Sequence, residues 1–342
     1  MEHFEDVIII GGGPAGAYCA FELAKKGIYA TIFDPSHPRE KPCGGGISPS
    51  ALKKFHFLEQ FRSKAGKSTT LKMISCTNNH IAEVNYSGFG LSRQFLDEQL
   101  IKMAIDNGAK LIKEKVLGIQ RKKSLWQIKT EKGLINASVI VGADGINSLV
   151  RKKTAGHISS ENLGLAYGYL ATGVENYPLT VKFVAEIPGY IWIFPRGDHS
   201  CIGIGSESKY GDALKQILDN FILIYCPQIE VTSKFAAMLP WITNPNFFAL
   251  PSGGNNWLLA GDAAGHADPI TGEGILYALW SGKLAAEALA KNELCLYDTL
   301  WREQYGNYFI ERCKEKSNFY NPLRVEFYVA SSSLQNKVKY FA

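Results

Sequence analysis

A glycine cluster ten residues into the chain constrains the fold more than any other feature. Residues 7–10 are four consecutive aliphatic side chains, the pattern of a strand buried on both faces. Gly11-x-Gly13-x-x-Gly16 follows, and a stretch of helical composition then runs to Lys26 and stops at Gly27, a natural C-cap. Residues 29–33 form a second β-rich run that closes on Asp34. This is one βαβ unit. Its first glycine permits the tight turn, its second lets backbone approach a pyrophosphate, and its third lets helix and strand pack closely. Pro14 and Ala15 open the helix, where free N–H groups and the dipole favour an anion. Asp34 sits where a carboxylate can bind ribose hydroxyls. The pattern predicts a bound dinucleotide without choosing between NAD and FAD.

The rest of the chain has to complete that sheet. Residues 35–50 are rich in Pro and Gly and read as an extended loop. Ser92 can cap a helix running to Asn107-Gly108, with Phe95, Leu96, Leu100 and Met103 on one stripe. Residues 110–119, 126–130 and 138–141 read as strands, and 163–205 as mostly strand and turn. Residues 212–226 read as a helix, 257–260 as a buried strand, 274–291 as a long Ala- and Leu-rich helix, and the tail from Tyr297 as helical and aromatic. The fold class is therefore α/β with an α+β insertion, its domains interleaved.

Composition removes several functions. Thirty-seven Lys and Arg against 32 Asp and Glu give a net charge of +5, scattered in pairs and triplets, which reads as a solvated surface with no nucleic-acid partner. Mild attraction to an anionic membrane stays open. Seven cysteines, an odd number with no C-x-x-C, point to a reducing, cytoplasmic setting. No zinc spacing occurs, so no metal is expected. The acidic start (Glu2, Glu5, Asp6) is the wrong charge for a signal peptide, and the glycines break the apolar stretch of residues 7–24 as a membrane span.

Two later motifs narrow the nucleotide. Val141-Gly142-Ala143-Asp144-Gly145 is one. Gly261-Asp262-Ala263-Ala264-Gly265, followed by Gly272-Glu273-Gly274-Ile275, is the other. Together with the glycine fingerprint, in this order, they resemble the FAD-binding fold of the p-hydroxybenzoate hydroxylase type. The resemblance implies that Asp144 helps shape the cofactor site near the pyrophosphate, and that Asp262, beside Gly261, meets the ribityl chain. Gly272, Gly274 and Ile275 would present backbone N–H groups to the flavin ring. Asp262 also reads as a helix N-cap. Arg93 matches the family arginine that reaches the cofactor phosphates, and Val116 falls where the family brings backbone to the adenine.

Two further segments, Lys41-Pro42-Cys43-Gly44-Gly45-Gly46-Ile47-Ser48 and Tyr190-Ile191-Trp192-Ile193-Phe194-Pro195, resemble the geranylgeranyl reductase family. Its members use reduced FAD to saturate double bonds of polyprenyl chains. The resemblance implies that Cys43, Gly44, Gly45 and Gly46 lie against the flavin and that Tyr190, Trp192 and Phe194 line the substrate cavity. From the residues alone, Cys43 reads as a small packing side chain and the alternating rings as one face of a strand turned to core; it is the resemblance that turns that face to a cavity. His266 reads as a ring packed at a helix start or as an acid.

The resulting expectation is a Rossmann-type FAD-binding domain (residues 1–65, 91–160 and 250–292) interleaved with a mostly antiparallel substrate sheet (66–90 and 161–249), and a helical tail (293–342). The reaction is hydride transfer from reduced flavin to an alkene of a lipid, quinone or pigment precursor. Cys43 or a water supplies the proton, and NAD(P)H or ferredoxin is the reductant. Alternatives are a flavin monooxygenase or halogenase, from whose W-x-W-x-I-P segment the 190–195 stretch departs, and a non-catalytic flavin sensor.

Overall fold

The aliphatic run becomes the strand His3–Ile10, central to an eight-stranded sheet in the computed structural model, which describes residues 3–335 and 341. It runs parallel to Thr31–Phe33 on one side and Leu134–Gly142 on the other, with Ile10 level with both Phe33 and Gly142. Lys110–Ile112 and Trp257–Leu259 extend the parallel set outward, and Gly253–Gly254 closes one edge antiparallel. The carboxyl ends of the parallel strands therefore share one edge, the edge at which open α/β sheets bind ligands. The helix Pro14–Ala24 leaves that edge and packs on Ile275–Ala290 so tightly that a Cβ on Gly282 would stand 2.3 Å from the Ala15 carbonyl oxygen.

The single strand expected over residues 110–119 is two. Lys110–Ile112 pairs with Thr31–Phe33, whereas Val116–Lys122 pairs antiparallel with Leu125–Thr130. One straight strand cannot serve both partners, so the chain breaks between them. The loop expected over 35–50 ends in structure: Gly46–Ile47 pairs with Phe89–Gly90, and Ser48 caps the helix Pro49–Lys54 by accepting the Ala51 N–H at 3.1 Å.

The second sheet has seven strands in the order Glu230–Pro240, Leu163–Thr172, Ser200–Glu207, Gly189–Pro195, Leu179–Val184, Thr70–Ile74, Ile81–Asn85. All pairings are antiparallel except Leu179–Val184 with Thr70–Ile74. Leu214, Leu218 and Phe221 of the helix Gly211–Tyr225 cover one face, against Ile191, Ile193, Ile202 and Ile204. The tail is helical, as its composition predicts, in Leu296–Trp301, Asn307–Phe319 and Pro322–Gln335. Its Phe319, Val325, Tyr328 and Val329 join Met73, Val84 and Phe183 in one buried cluster. Among the described residues no helix is long and apolar enough to cross a membrane.

Candidate active site

A cavity of about 580 Å³ lies between the carboxyl edge of the first sheet and the open face of the second. Its floor is glycine. Gly11 takes φ +101°, a conformation side chains avoid, and turns the chain from strand to helix. A Cβ on Gly16 would lie 1.9 Å from the Gly11 carbonyl oxygen, whereas a Cβ on Gly13 or Gly145 would meet nothing within 4 Å. Gly16 is thus glycine for the fold, and Gly13 for whatever enters. Two helices begin at this floor, Pro14–Ala24 after Gly13 and Ile275–Ala290 after Gly274, and neither N-terminus is capped by a side chain. Asp144 accepts the Leu149 and Val150 N–H groups through Oδ2 (2.7 and 3.4 Å). Its Oδ1 is buried without a partner among the described residues, and burial pushes its carboxyl above the usual range. Open space over glycine backbone, free N–H groups and an orphaned buried oxygen fit the dinucleotide expected from the sequence.

The C-G-G-G segment folds over this floor under a clamp that the motif does not contain. Arg196, whose side chain is fully buried, pairs with Glu40 at 2.6 Å and donates to the carbonyls of Gly44 (3.1 Å) and Cys43. Glu40 also accepts from Ser92 Oγ (2.6 Å) and from the Arg93 and Gln94 N–H groups (3.0 and 3.1 Å), capping the helix Arg93–Asp106. Burial alone would raise the Glu40 carboxyl, but Arg196 and these donors hold it below its ordinary value. Gly45, at φ +72°, keeps the loop tight, since a Cβ there would stand 2.3 Å from the Leu91 carbonyl.

Tyr190, Trp192 and Phe194 form the facing wall. They alternate with Ile191 and Ile193, which point into the core, so the three rings face the cavity. The rings touch in sequence, 6.1 Å from Tyr190 to Trp192 and 6.5 Å from Trp192 to Phe194. Phe194 lies against Gly44 and Gly46, where added Cβ atoms would stand 3.0 and 3.1 Å from its ring. Trp192 Nε1 donates to Cys201 Sγ at 3.3 Å, and Tyr190 donates to the Thr271 carbonyl. Phe341, from the tail for which the sequence offered no role, also lines the cavity and meets Tyr190 edge-on at 5.6 Å.

Several residues singled out in the sequence lie elsewhere or are already engaged. Asp34 is buried and already engaged: it accepts the Ser36 hydroxyl at 2.5 Å and the Gly12 and Ser36 N–H groups at 2.8 Å each. Those bonds outweigh the cost of burial and hold its carboxyl low. Arg93 lines the cavity, but its guanidinium grips Asp97 bidentately at 2.9 and 2.8 Å, with the Cys43 sulfur beside it. Val116 packs against the cluster of Phe33, Ile119 and Ile128 and is not among the residues that line this cavity. Asp262 is half-buried on the cavity floor and takes Lys41 Nζ at 3.2 Å. His266 is fully buried among Trp301, Tyr305 and Phe309, with burial pushing it down to about 3, so it is a neutral packing ring.

A carboxylate of the cavity also escaped the sequence reading. Glu273 sits between Gly272 and Gly274 and takes the Ser48 hydroxyl on Oε1 at 2.5 Å. Burial, only partly offset by Ser48, pushes its carboxyl up to about 7. Its signal was in plain view, a lone carboxylate inside a glycine pair, but the motif drew attention to backbone N–H groups. Among the described residues no cluster could hold a metal ion.

The pattern of the lycopene cyclase protein family matches residues 6–172. A geranylgeranyl diphosphate reductase of Rhodobacter capsulatus is 30% identical over 83% of this chain and 74% of its own length. A menaquinone reductase of Mycobacterium tuberculosis is 29% identical over 89% of this chain and 81% of its own. A geranylgeranyl bacteriochlorophyll reductase-like structure from Thermoplasma acidophilum superposes with a TM-score of 0.86 at 22% identity, covering 100% of this chain and 94% of that one.

Proposed function

The chain belongs to the geranylgeranyl reductase family of FAD-dependent oxidoreductases, and from that premise we propose that it saturates C=C bonds in the polyprenyl chain of a lipid, quinone or pigment precursor. The observation that carries this reading is the ring wall Tyr190, Trp192 and Phe194 standing against Gly44 and Gly46 in one cavity with the dinucleotide turn. An isoprenoid has no polar handles, so rings and aliphatic walls are what can hold it.

When bound and reduced, FAD supplies a hydride. In this reading Gly13, Pro14 and Ala15 hold its pyrophosphate at the helix N-terminus, and Asp262 meets the ribityl chain. Gly44, Gly45 and Gly46 offer a flat surface to the ring system, and the uncapped N-terminus at Gly274 and Ile275 stabilises negative charge on it. Arg196 keeps the glycine loop in register through Gly44 and Cys43. The ring wall orients the alkene and excludes water. Because an isolated alkene forms no enolate, its transition state carries carbocation character, which ring faces stabilise. NAD(P)H or ferredoxin serves as the reductant, and the substrate is drawn from a membrane that the protein contacts peripherally.

The test is anaerobic. Protein loaded with FAD and reduced by dithionite should be reoxidised by a geranylgeranyl compound, with a product heavier by two hydrogens per bond. Product that has gained oxygen or halogen would reject the reading.

A further inference from the structure

The hydroxyl protons around the cavity are nearly all committed. Tyr190 donates to the Thr271 carbonyl, Tyr86 donates to the Phe341 carbonyl at 2.7 Å, and Ser48 donates to Glu273 at 2.5 Å while accepting from Ala51. The Cys43 sulfur accepts the Gly45 N–H at 3.3 Å and lies beside the Arg93 guanidinium, so its surroundings are donors. Glu273 is different. Its Oε1 is anchored, its Oε2 has no hydrogen-bond partner among the described residues, and its exposed surface opens onto the cavity.

We propose that the Glu273 carboxyl is the acid that protonates the alkene carbon opposite the one receiving hydride. The inference rests on the reductase reading above. The bookkeeping closes. Hydride brings two electrons and one proton to one carbon, the Glu273 O–H bond breaks as the second C–H bond forms, the alkene is reduced and FAD is oxidised. The resulting carboxylate keeps the Ser48 hydroxyl on Oε1 and is reprotonated from solvent when the product leaves.

The groups that face Glu273 favour this. Asp268, on its own loop, opposes a charge at Glu273, but is largely neutralised by Arg312 of the helix Asn307–Phe319 at 2.9 Å. Tyr86, Tyr190, Tyr277 and Tyr308 come from four other parts of the fold, and burial raises all four phenols above their ordinary value. None of these four phenols loses its proton near neutral pH. Glu273 does, because the same burial brings it up to about 7, close to the value at which an acid is most useful in neutral solution.

Glu273→Gln keeps the shape and the Ser48 bond and removes the acid. FAD retention and dithionite reduction should be unchanged, while reoxidation by a geranylgeranyl compound should slow by about 10²-fold or more. The wild-type rate should fall as pH rises through about 7, and the variant should lose that dependence. Glu273→Asp should recover part of the rate and the pH profile. A readout free of catalysis exists as well. The folded carboxyl holds its proton above the unfolded value of 4.5, so the stability it contributes is full below that pH and is lost as pH rises toward about 7. The wild type should show that loss in urea melts, and Glu273→Gln should not. A Gln variant with the wild-type reoxidation rate and pH profile overturns the proposal. A wild type that no polyprenyl compound reoxidises sinks the reductase reading and the proposal with it, and the urea series then reports separately whether the carboxyl holds its proton.

Discussion

On the nucleotide side of the cavity the contacts come from glycine backbone, whereas on the far side they come from rings and one acid. The first wall is centred on residues close together in sequence, Gly13 to Ala15, between a strand and the helix that follows it, with Gly145 and Gly274 added from two further motifs. The second needs Tyr190 and Phe194 from one strand, Tyr86 from after another, Glu273 from a loop and Phe341 from the tail. The difference teaches what each wall can tolerate. A backbone wall fails through a single added methyl group, because no side chain can move aside. A ring wall is packed on one side only, so its losses fall on ligand binding before they fall on folding.

Four substitutions break or sharpen that contrast. The largest effect is expected from Gly16→Ala, whose Cβ would stand 1.9 Å from a backbone oxygen; the melting temperature should collapse, even without FAD. Arg196→Met comes next. It leaves the half-buried Glu40 without its cation; breaking a fully buried pair costs about 3–5 kcal/mol, so the loss read in urea melts should fall somewhat below that. Gly13→Ala should leave the unliganded melt where it is, because its Cβ meets nothing within 4 Å, yet weaken FAD binding by roughly 10-fold, about 1.4 kcal/mol, in titrations of the apoprotein. Equal melting losses for Gly13→Ala and Gly16→Ala would erase the distinction between a ligand-facing and a fold-facing glycine. Trp192→Ala should cost less than the roughly 3–5 kcal/mol of a core indole, with the deficit appearing in turnover. A variant that melts early but turns over normally would return the ring to the core.

The parallel sheet was legible because its signals are local. Residues 7–10 are all aliphatic, which suits a strand covered on both faces, and the glycines mark its end. The alternation at 190–194 was equally clear as a strand, but a ring turned toward a cavity and a ring turned toward core have the same period. Only the helix Gly211–Tyr225, seated on Ile191 and Ile193, decides which face is which. Arg93 illustrates the opposite difficulty. Its position before a helix matched a motif, and nothing in that match revealed that Asp97, one turn on, takes its guanidinium.

The sequence by itself determined the βαβ unit and the order of the nucleotide motifs, because hydrophobic period and glycine spacing act over a few residues. It also carried the family. Tertiary structure alone decided that Arg196 reaches back across the chain to Glu40, that Phe341 closes a wall begun at Tyr190, and that burial pushes the Glu273 carboxyl above its ordinary value. The physical reason is the range of the forces. Sterics and backbone propensity are set by neighbours in the chain, whereas burial and the pairing of charge depend on what the fold brings near, and these govern whether a carboxyl is an acid or an anion.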